Sequence, residues 1–136
     1  MSPHARLMCG IGLILTPAIV YGGLTVLGVV LNGAMGIPAP RGLSPSRIAF
    51  YRAGHAHAGV LALLAWFLEV VMDYAAVPRA MIWPVRVGAI AAAILVSGGF
   101  LAIAHARALR WLLYLGAALV IATTLIAGTG LIRASW

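Results

Sequence analysis

The sequence predicts an all-α integral membrane protein: a four-transmembrane-helix bundle with both termini on the same side and a tendency to homo-oligomerise. Three observations carry the fold. The chain of 136 residues is 64% hydrophobic and 8% charged, with a mean hydropathy of +1.10. Soluble domains use about 25% charged residues, so a bilayer is the solvent this surface requires. Four apolar runs of more than twenty residues follow one another, separated by turn signals. Tryptophan, tyrosine and arginine collect at the ends of those runs, as expected of interfacial belts and snorkelling anchors.

The first span is predicted over residues 8–31. Arg6 precedes it, and the apolar run is too long for the core of a cleavable signal peptide, so it reads as a retained span. Pro17 removes one backbone donor and predicts a kink near Leu13 to Pro17. Gly22, Gly23 and Gly28 offer flat patches for close helix approach. A polar connection follows, punctuated by Asn32-Gly33, Pro38, Pro40, Gly42 and Pro45 and carrying Arg41, Arg47 and Arg52. Ser44-Pro45 or Ser46 is placed to cap a short interfacial helix leading to Tyr51.

The second span is predicted over 54–77, with Val77-Pro78-Arg79 ending it. The third covers 81–104, with Trp83 and Arg86 at its entrance and Ser97-Gly98-Gly99-Phe100 inside. The fourth covers 109–131, with Trp111 and Tyr114 at one edge and Arg133 and Trp136 at the other. All four belong to one membrane domain, 1–136. His4 is expected in a solvent-exposed tail, and His105 with Arg107 at the interface.

The formal net charge is +7, from nine arginines against one aspartate and one glutamate. In a soluble protein this would raise nucleic acid as a partner. Here the arginines fall between apolar runs, where lipid headgroup phosphates suffice, so membrane lipid and no nucleic acid is expected. Arg6, Arg79, Arg86 and Arg133 lie on the side of the termini, and Arg41, Arg47, Arg52, Arg107 and Arg110 on the other. Four against five leaves the orientation open. A single cysteine, Cys9, excludes an internal disulfide and any Cys-rich metal site.

The stretch from Phe50 to Gly59 holds two of the four histidines, His55 and His57. On an α-helix each residue advances about 100°, so these two are about 200° apart and cannot share one metal ion. His55 shares a face with Gly59, Ala62, Trp66, Glu69 and Asp73. His57 shares the other with Leu61, Leu64 and Leu68. A carboxylate facing lipid costs on the order of 3 kcal/mol, so the acidic face must turn inward. Arg86, across a short loop, is the natural partner of Glu69, and Asp73 can take Arg79 or Arg86. That set reads as a structural ion pair joining the second and third helices, or as a proton-carrying carboxylate. The His57 face, one imidazole above an aliphatic stripe, suits a flat apolar cofactor such as heme, with Leu61 and Leu64 in the wall and a neighbouring protomer completing it. The plainer possibility is a histidine at headgroup depth bonded to lipid or to a carbonyl.

Arg52-Ala53 followed by His57-Ala58-Gly59 resembles the Arg-Ala-His-x-Gly segment that opens the second helix of the membrane-embedded styrene oxide isomerases. Gly99-Phe100 resembles that family's Gly-Phe-Tyr. The hydroxylaminobenzene mutases are similar at greater distance. Both are small four-helix bacterial membrane proteins, so the resemblance implies a bacterial-type cytoplasmic membrane. It also implies heme b within a homotrimer, with His57 as axial metal ligand and His55 as its competitor. Ferric iron then acts as a Lewis acid on a small apolar oxygenated substrate, opening an epoxide to an aldehyde without net redox change. The sequence departs from the family at Leu63, where it has Asn, and at Leu101, where it has Tyr. Polar contact to substrate would then fall to Ser97, Tyr51 or His55. Two other functions compete: a small proton-coupled transporter using Glu69, and a non-catalytic subunit or assembly factor that packs through small residues such as Gly88, Ala92 and Gly99.

Overall fold

A computed structural model describes residues 1–31 and 42–136. Asn32, Gly33, Pro38, Pro40 and Arg41, which the sequence places in the polar connection, lie outside the described residues. Four helices are seen: α1 (Pro3–Val30), α2 (Pro45–Val71), α3 (Arg79–His105) and α4 (Arg110–Ala134), with a single 3₁₀ turn, Arg107–Leu109, between the last two. At 1.5 Å per residue each is about 40 Å long, enough to cross a hydrocarbon core of about 30 Å with some tilt. All four are apolar enough to span. This is a multi-pass membrane protein.

The helix starts are set by the same local chemistry. Ser2 accepts the Ala5 N–H on its hydroxyl at 3.1 Å, with Pro3 in the first turn. Ser44 does the same for Arg47 at 3.4 Å, with Pro45 following. A serine cap supplies the acceptor that the first turn lacks, and proline there has no N–H to waste. Two expectations change accordingly. The first helix begins at Pro3, not Met8, so His4 sits within it, edge-on to Trp83 at a ring separation of 4.9 Å. The short interfacial helix foreseen before Tyr51 is instead the first two turns of α2. Nothing after Pro45 breaks the helical ladder, so the segment continues into the span.

The end of α2 also differs. It stops at Val71 rather than Val77. The Asp73 and Tyr74 N–H groups bond back only three residues, at 3.2 and 3.0 Å, and the Ala76 N–H leaves the helix altogether for the Gly130 carbonyl of α4 at 2.9 Å. That bond ties the α2–α3 turn to the last turns of α4. With Ser2 bound to the same turn, the two ends of the chain meet at one end of the molecule, called the terminal end below. α1 runs as one helix through Pro17, and α3 through Pro84.

Helices in lipid gain little from burying apolar surface against one another, so they associate where small residues let backbones approach. α3 and α4 follow that rule. A Cβ at Gly99 would stand 2.7 Å from the Leu113 N, and one at Gly116 would stand 2.7 Å from the Val96 N. Gly88 faces Thr123 in the same seam, and Ala92 is buried. The small-residue face read as free for a partner is therefore used inside the chain, on α4. A core of Ala65, Leu68, Met72, Val85, Ala89 and Ala127 joins α2, α3 and α4 towards the terminal end. α1 lies along α2 and meets α3 at that end through His4 and Trp83. Further along, a groove opens between α1 and α3, with α2 as its floor.

Candidate functional site

Three groups of polar side chains interrupt this apolar frame. The first is the groove itself, a cavity of about 410 Å³, within the range of small-molecule sites. Its wall is largely aliphatic from Gly12 to Val26 of α1 and from Ile90 to Leu101 of α3, and its polar side chains are Thr25, Tyr51, His55 and Ser97, with the Trp66 indole. Gly54 brings α2 onto α3: a Cβ there would lie 3.0 Å from the Ser97 carbonyl and from Leu101. His55 follows immediately and turns towards α1, where Gly23 makes room for its ring; a Cβ at Gly23 would sit 2.8 Å from the imidazole. Ser97 is 8% exposed, and its hydroxyl has no partner among the described residues. A buried serine in a helix ordinarily bonds a carbonyl one turn back; here the hydroxyl is buried beside the groove without that bond. Tyr51 closes the far end of the groove, its hydroxyl 2.9 Å from His105 Nε2. Trp66 lies near the other end, packed so tightly against Gly12 that any side chain there would collide with the indole.

The second group lies on the opposite flank of the α2–α3 contact. His57 is exposed, with its ring centroid 4.8 Å from that of Phe100. Its Nδ1 lies 2.7 Å from the Ala53 carbonyl oxygen. A carbonyl can only accept, so Nδ1 carries the hydrogen, and in the neutral ring Nε2 holds the lone pair. The aliphatic stripe below it is only partly free. Leu68 is buried in the core and Leu64 packs against it, which leaves Leu61 and Phe100 as the nearby wall. The two histidines part as helical phase predicts, and the residues that the resemblance brings to one site are divided: Tyr51, Ser97 and His55 line the groove, whereas His57 faces outward on the other side.

The third group is at the terminal end. Arg86 Nη1 donates to Glu69 Oε2 at 2.6 Å and to the Glu69 carbonyl at 3.1 Å, and Nη2 donates to Asp73 Oδ1 at 2.7 Å. Glu69 is 0% exposed and Arg86 3%. Arg86 therefore serves both acids, and no bond joins Asp73 to Arg79. Ser2 completes the set, its N–H donating to Asp73 Oδ2 at 2.6 Å and its hydroxyl to Oδ1 at 2.7 Å. Burial pushes the Asp73 carboxyl up, but the two Ser2 hydrogen bonds and the Arg86 guanidinium outweigh it and hold the group at about 2. Glu69 Oε1 and Arg86 Nε have no partner among the described residues.

Ser2, Phe100 as the neighbour of His57, and His105 as the partner of Tyr51 are the contributors that one-dimensional patterns pass over. Only Ser2 had a local signal, the Ser-Pro step that also starts α2. Leu101, which the resemblance sets against a Tyr, lines the groove, and Leu63, which it sets against an Asn, is 62% exposed. Among the described residues no group of three His, Cys, Asp or Glu side chains could hold a metal ion. No protein-family model, curated protein or solved structure matches this chain.

Proposed function

We propose that this chain is a membrane-embedded heme b protein of isomerase type, with His57 as the axial nitrogen, in a bacterial cytoplasmic membrane. The observation that supports it is the His57–Ala53 hydrogen bond. Histidines that ligate a metal ordinarily donate their other N–H to a carbonyl or carboxylate, which fixes the tautomer and raises the basicity of the free nitrogen. His57 is set that way, on an open apolar flank beside an aromatic ring, and a single axial imidazole needs no cluster of further ligands. A neighbouring copy, in the homotrimer that the resemblance implies, would supply the wall that Leu64 and Leu68 do not.

When bound, ferric heme supplies a Lewis acid for a substrate oxygen. The chain's own residues do the rest. Phe100 limits the rotation of the His57 ring, and Ala53 holds its proton on Nδ1. The groove on the other flank admits a small apolar molecule, and Ser97, His55 and Tyr51, with Thr25 and the Trp66 indole, are the hydrogen-bonding residues that line it. Within one copy this lining lies away from His57, so epoxide rearrangement or a related reaction would need a neighbouring copy to bring its groove to the His57 flank.

The test is an absorption spectrum of the detergent-solubilised protein from heme-replete cells. A Soret band that His57→Ala abolishes and His55→Ala keeps is expected. A colourless wild-type preparation overturns the proposal. A second reading, a small proton-coupled transporter, rests on the unpartnered Glu69 Oε1, where a proton could sit, and is opposed by the ion pair of Oε2 with Arg86, which a proton on Glu69 would weaken. Loss of export-dependent resistance in Glu69→Gln cells would favour it.

A further inference from the structure

At the end of the bundle away from the termini, a second cavity of about 590 Å³ lies between the start of α2 and the α3–α4 turn. Ser44, Ser46, Arg47, Phe50, His105, Arg107 and Arg110 line it, with Ile103 and Ala104. We propose that this pocket binds the phosphate-bearing headgroup of an anionic phospholipid.

Charge accounting carries the argument. The whole chain has two acidic side chains, Glu69 and Asp73. Both are at the opposite end of the molecule, bound to Arg86. No side-chain carboxylate anywhere in the chain is left for Arg47, Arg107 and Arg110. Three guanidiniums gathered around one cavity repel one another, and in the low dielectric of the membrane edge that repulsion is poorly screened. Their counter-charge must come from outside. The N-terminus of the 27-residue α2 adds positive potential at Ser44 and Ser46. The half-charge at the C-terminus of α3 is too small to offset three full charges.

The lining also identifies the source of the anion. Arginine forks and serine hydroxyls match phosphate oxygens. Phe50, Ile103 and Ala104 form an apolar wall in the same cavity, continuous with the spans. A free phosphate has no use for that wall, whereas an acyl chain below a headgroup does. Basic pockets between transmembrane helices at headgroup depth take anionic lipids for this reason.

The experiment uses the full chain in neutral detergent, with bound lipid counted by native mass spectrometry and the unfolding midpoint followed in parallel. Phosphatidylglycerol is expected to be retained about tenfold over phosphatidylcholine and to raise the midpoint, and inorganic phosphate at equal concentration to do neither. Arg107→Gln/Arg110→Gln should reduce the preference to about twofold or less. Arg79→Gln/Arg133→Gln, which removes the same charge at the terminal end, should keep it. Equal retention of the two lipids, or a preference that survives Arg107→Gln/Arg110→Gln or falls equally in the terminal-end pair, overturns the proposal. Stabilisation by inorganic phosphate equal to that by phosphatidylglycerol overturns the lipid assignment and gives the pocket to a soluble anion.

Discussion

The two ends of the bundle handle charge in opposite ways. At the terminal end every acid in the chain is drawn to one buried arginine, and a serine cap, a turn and the last turns of α4 are bound together around it. At the far end the described residues include Arg47, Arg52, Arg107 and Arg110, exposed histidines and a groove beside an unpartnered serine hydroxyl, and no carboxylate side chain. The difference separates structure from recognition. Charges satisfied within the chain hold helices in register; charges and imidazoles left open require something that the chain does not contain. Buried ionisable groups in a membrane protein are functional candidates by default, but here the deepest ones, Glu69 and Arg86, are paired with each other. The exposed flank and the groove carry the stronger invitation to a ligand.

The sharpest way to break this contrast is to remove one partner at the terminal end. Arg86→Met leaves Glu69 fully buried with no compensating cation. A loss of about 3–5 kcal/mol is expected, seen as a large drop in the unfolding midpoint in detergent or as failure to accumulate. Glu69→Gln/Arg86→Met, which removes both charges, should recover much of that loss. If Arg86→Met unfolds no more readily than wild type, the terminal end is not what holds α2 to α3.

The α3–α4 seam should be nearly as sensitive. Gly116→Ala pushes a methyl to within 2.7 Å of the Val96 N, and overpacking of this kind costs about 1–3 kcal/mol. Gly98→Ala meets nothing within 4 Å and relieves a helical glycine, so it should be neutral or slightly stabilising. Equal effects of the two would mean that the seam is looser than its backbone spacing shows.

Asp73 gives a smaller effect with a definite pH signature. Its folded-state value, about 2, lies below the ordinary 3.8. A depressed carboxylate stabilises the folded state fully above its unfolded value and loses that contribution as pH falls through the folded one. Asp73→Asn should therefore cost about 2 kcal/mol at neutral pH. The gap to wild type should begin to close below pH 4 and be largely gone near pH 2. A gap that stays constant across that window would assign the effect to lost shape rather than lost charge.

How much of this was legible in the sequence follows from the kind of information each feature needs. Four apolar runs flanked by arginine and tryptophan fix the spans, because the bilayer enforces length and polarity one helix at a time. The pairing of Glu69 with Arg86 is legible for a similar reason: a deep acid needs a cation, and Arg86 lies about two turns into the helix across a short turn, where Arg79 stands at its very start. The end of α2 is not, because it is set by a bond from Ala76 to Gly130, far away in the chain. The split between His55 and His57 follows from helical phase alone. Which flank carries Tyr51 and Ser97 does not, because α3 must first dock on Gly54 before Ser97 has a side. The role of Gly99 is hidden likewise, since its neighbour Leu113 belongs to another helix.

The smallest effect expected is at the mouth of the groove. Tyr51 and His105 join α2 to the end of α3 through a 2.9 Å hydrogen bond between exposed side chains. Water or headgroups can replace either partner, so Tyr51→Phe should cost only about 0.5–1 kcal/mol in stability. Its consequence for access should be larger. With the bond gone, the Tyr51 ring no longer has its far edge pinned, and small apolar probes should enter and leave the groove faster. Quenching of Trp66 fluorescence by an apolar quencher, read in a variant whose Trp83, Trp111 and Trp136 are replaced by phenylalanine, measures that exchange directly. Faster quenching with little change in the unfolding midpoint would make Tyr51 a gate on the groove. Unchanged quenching would make it one more tie between helices, and the far end would then resemble the terminal end more than its charges imply.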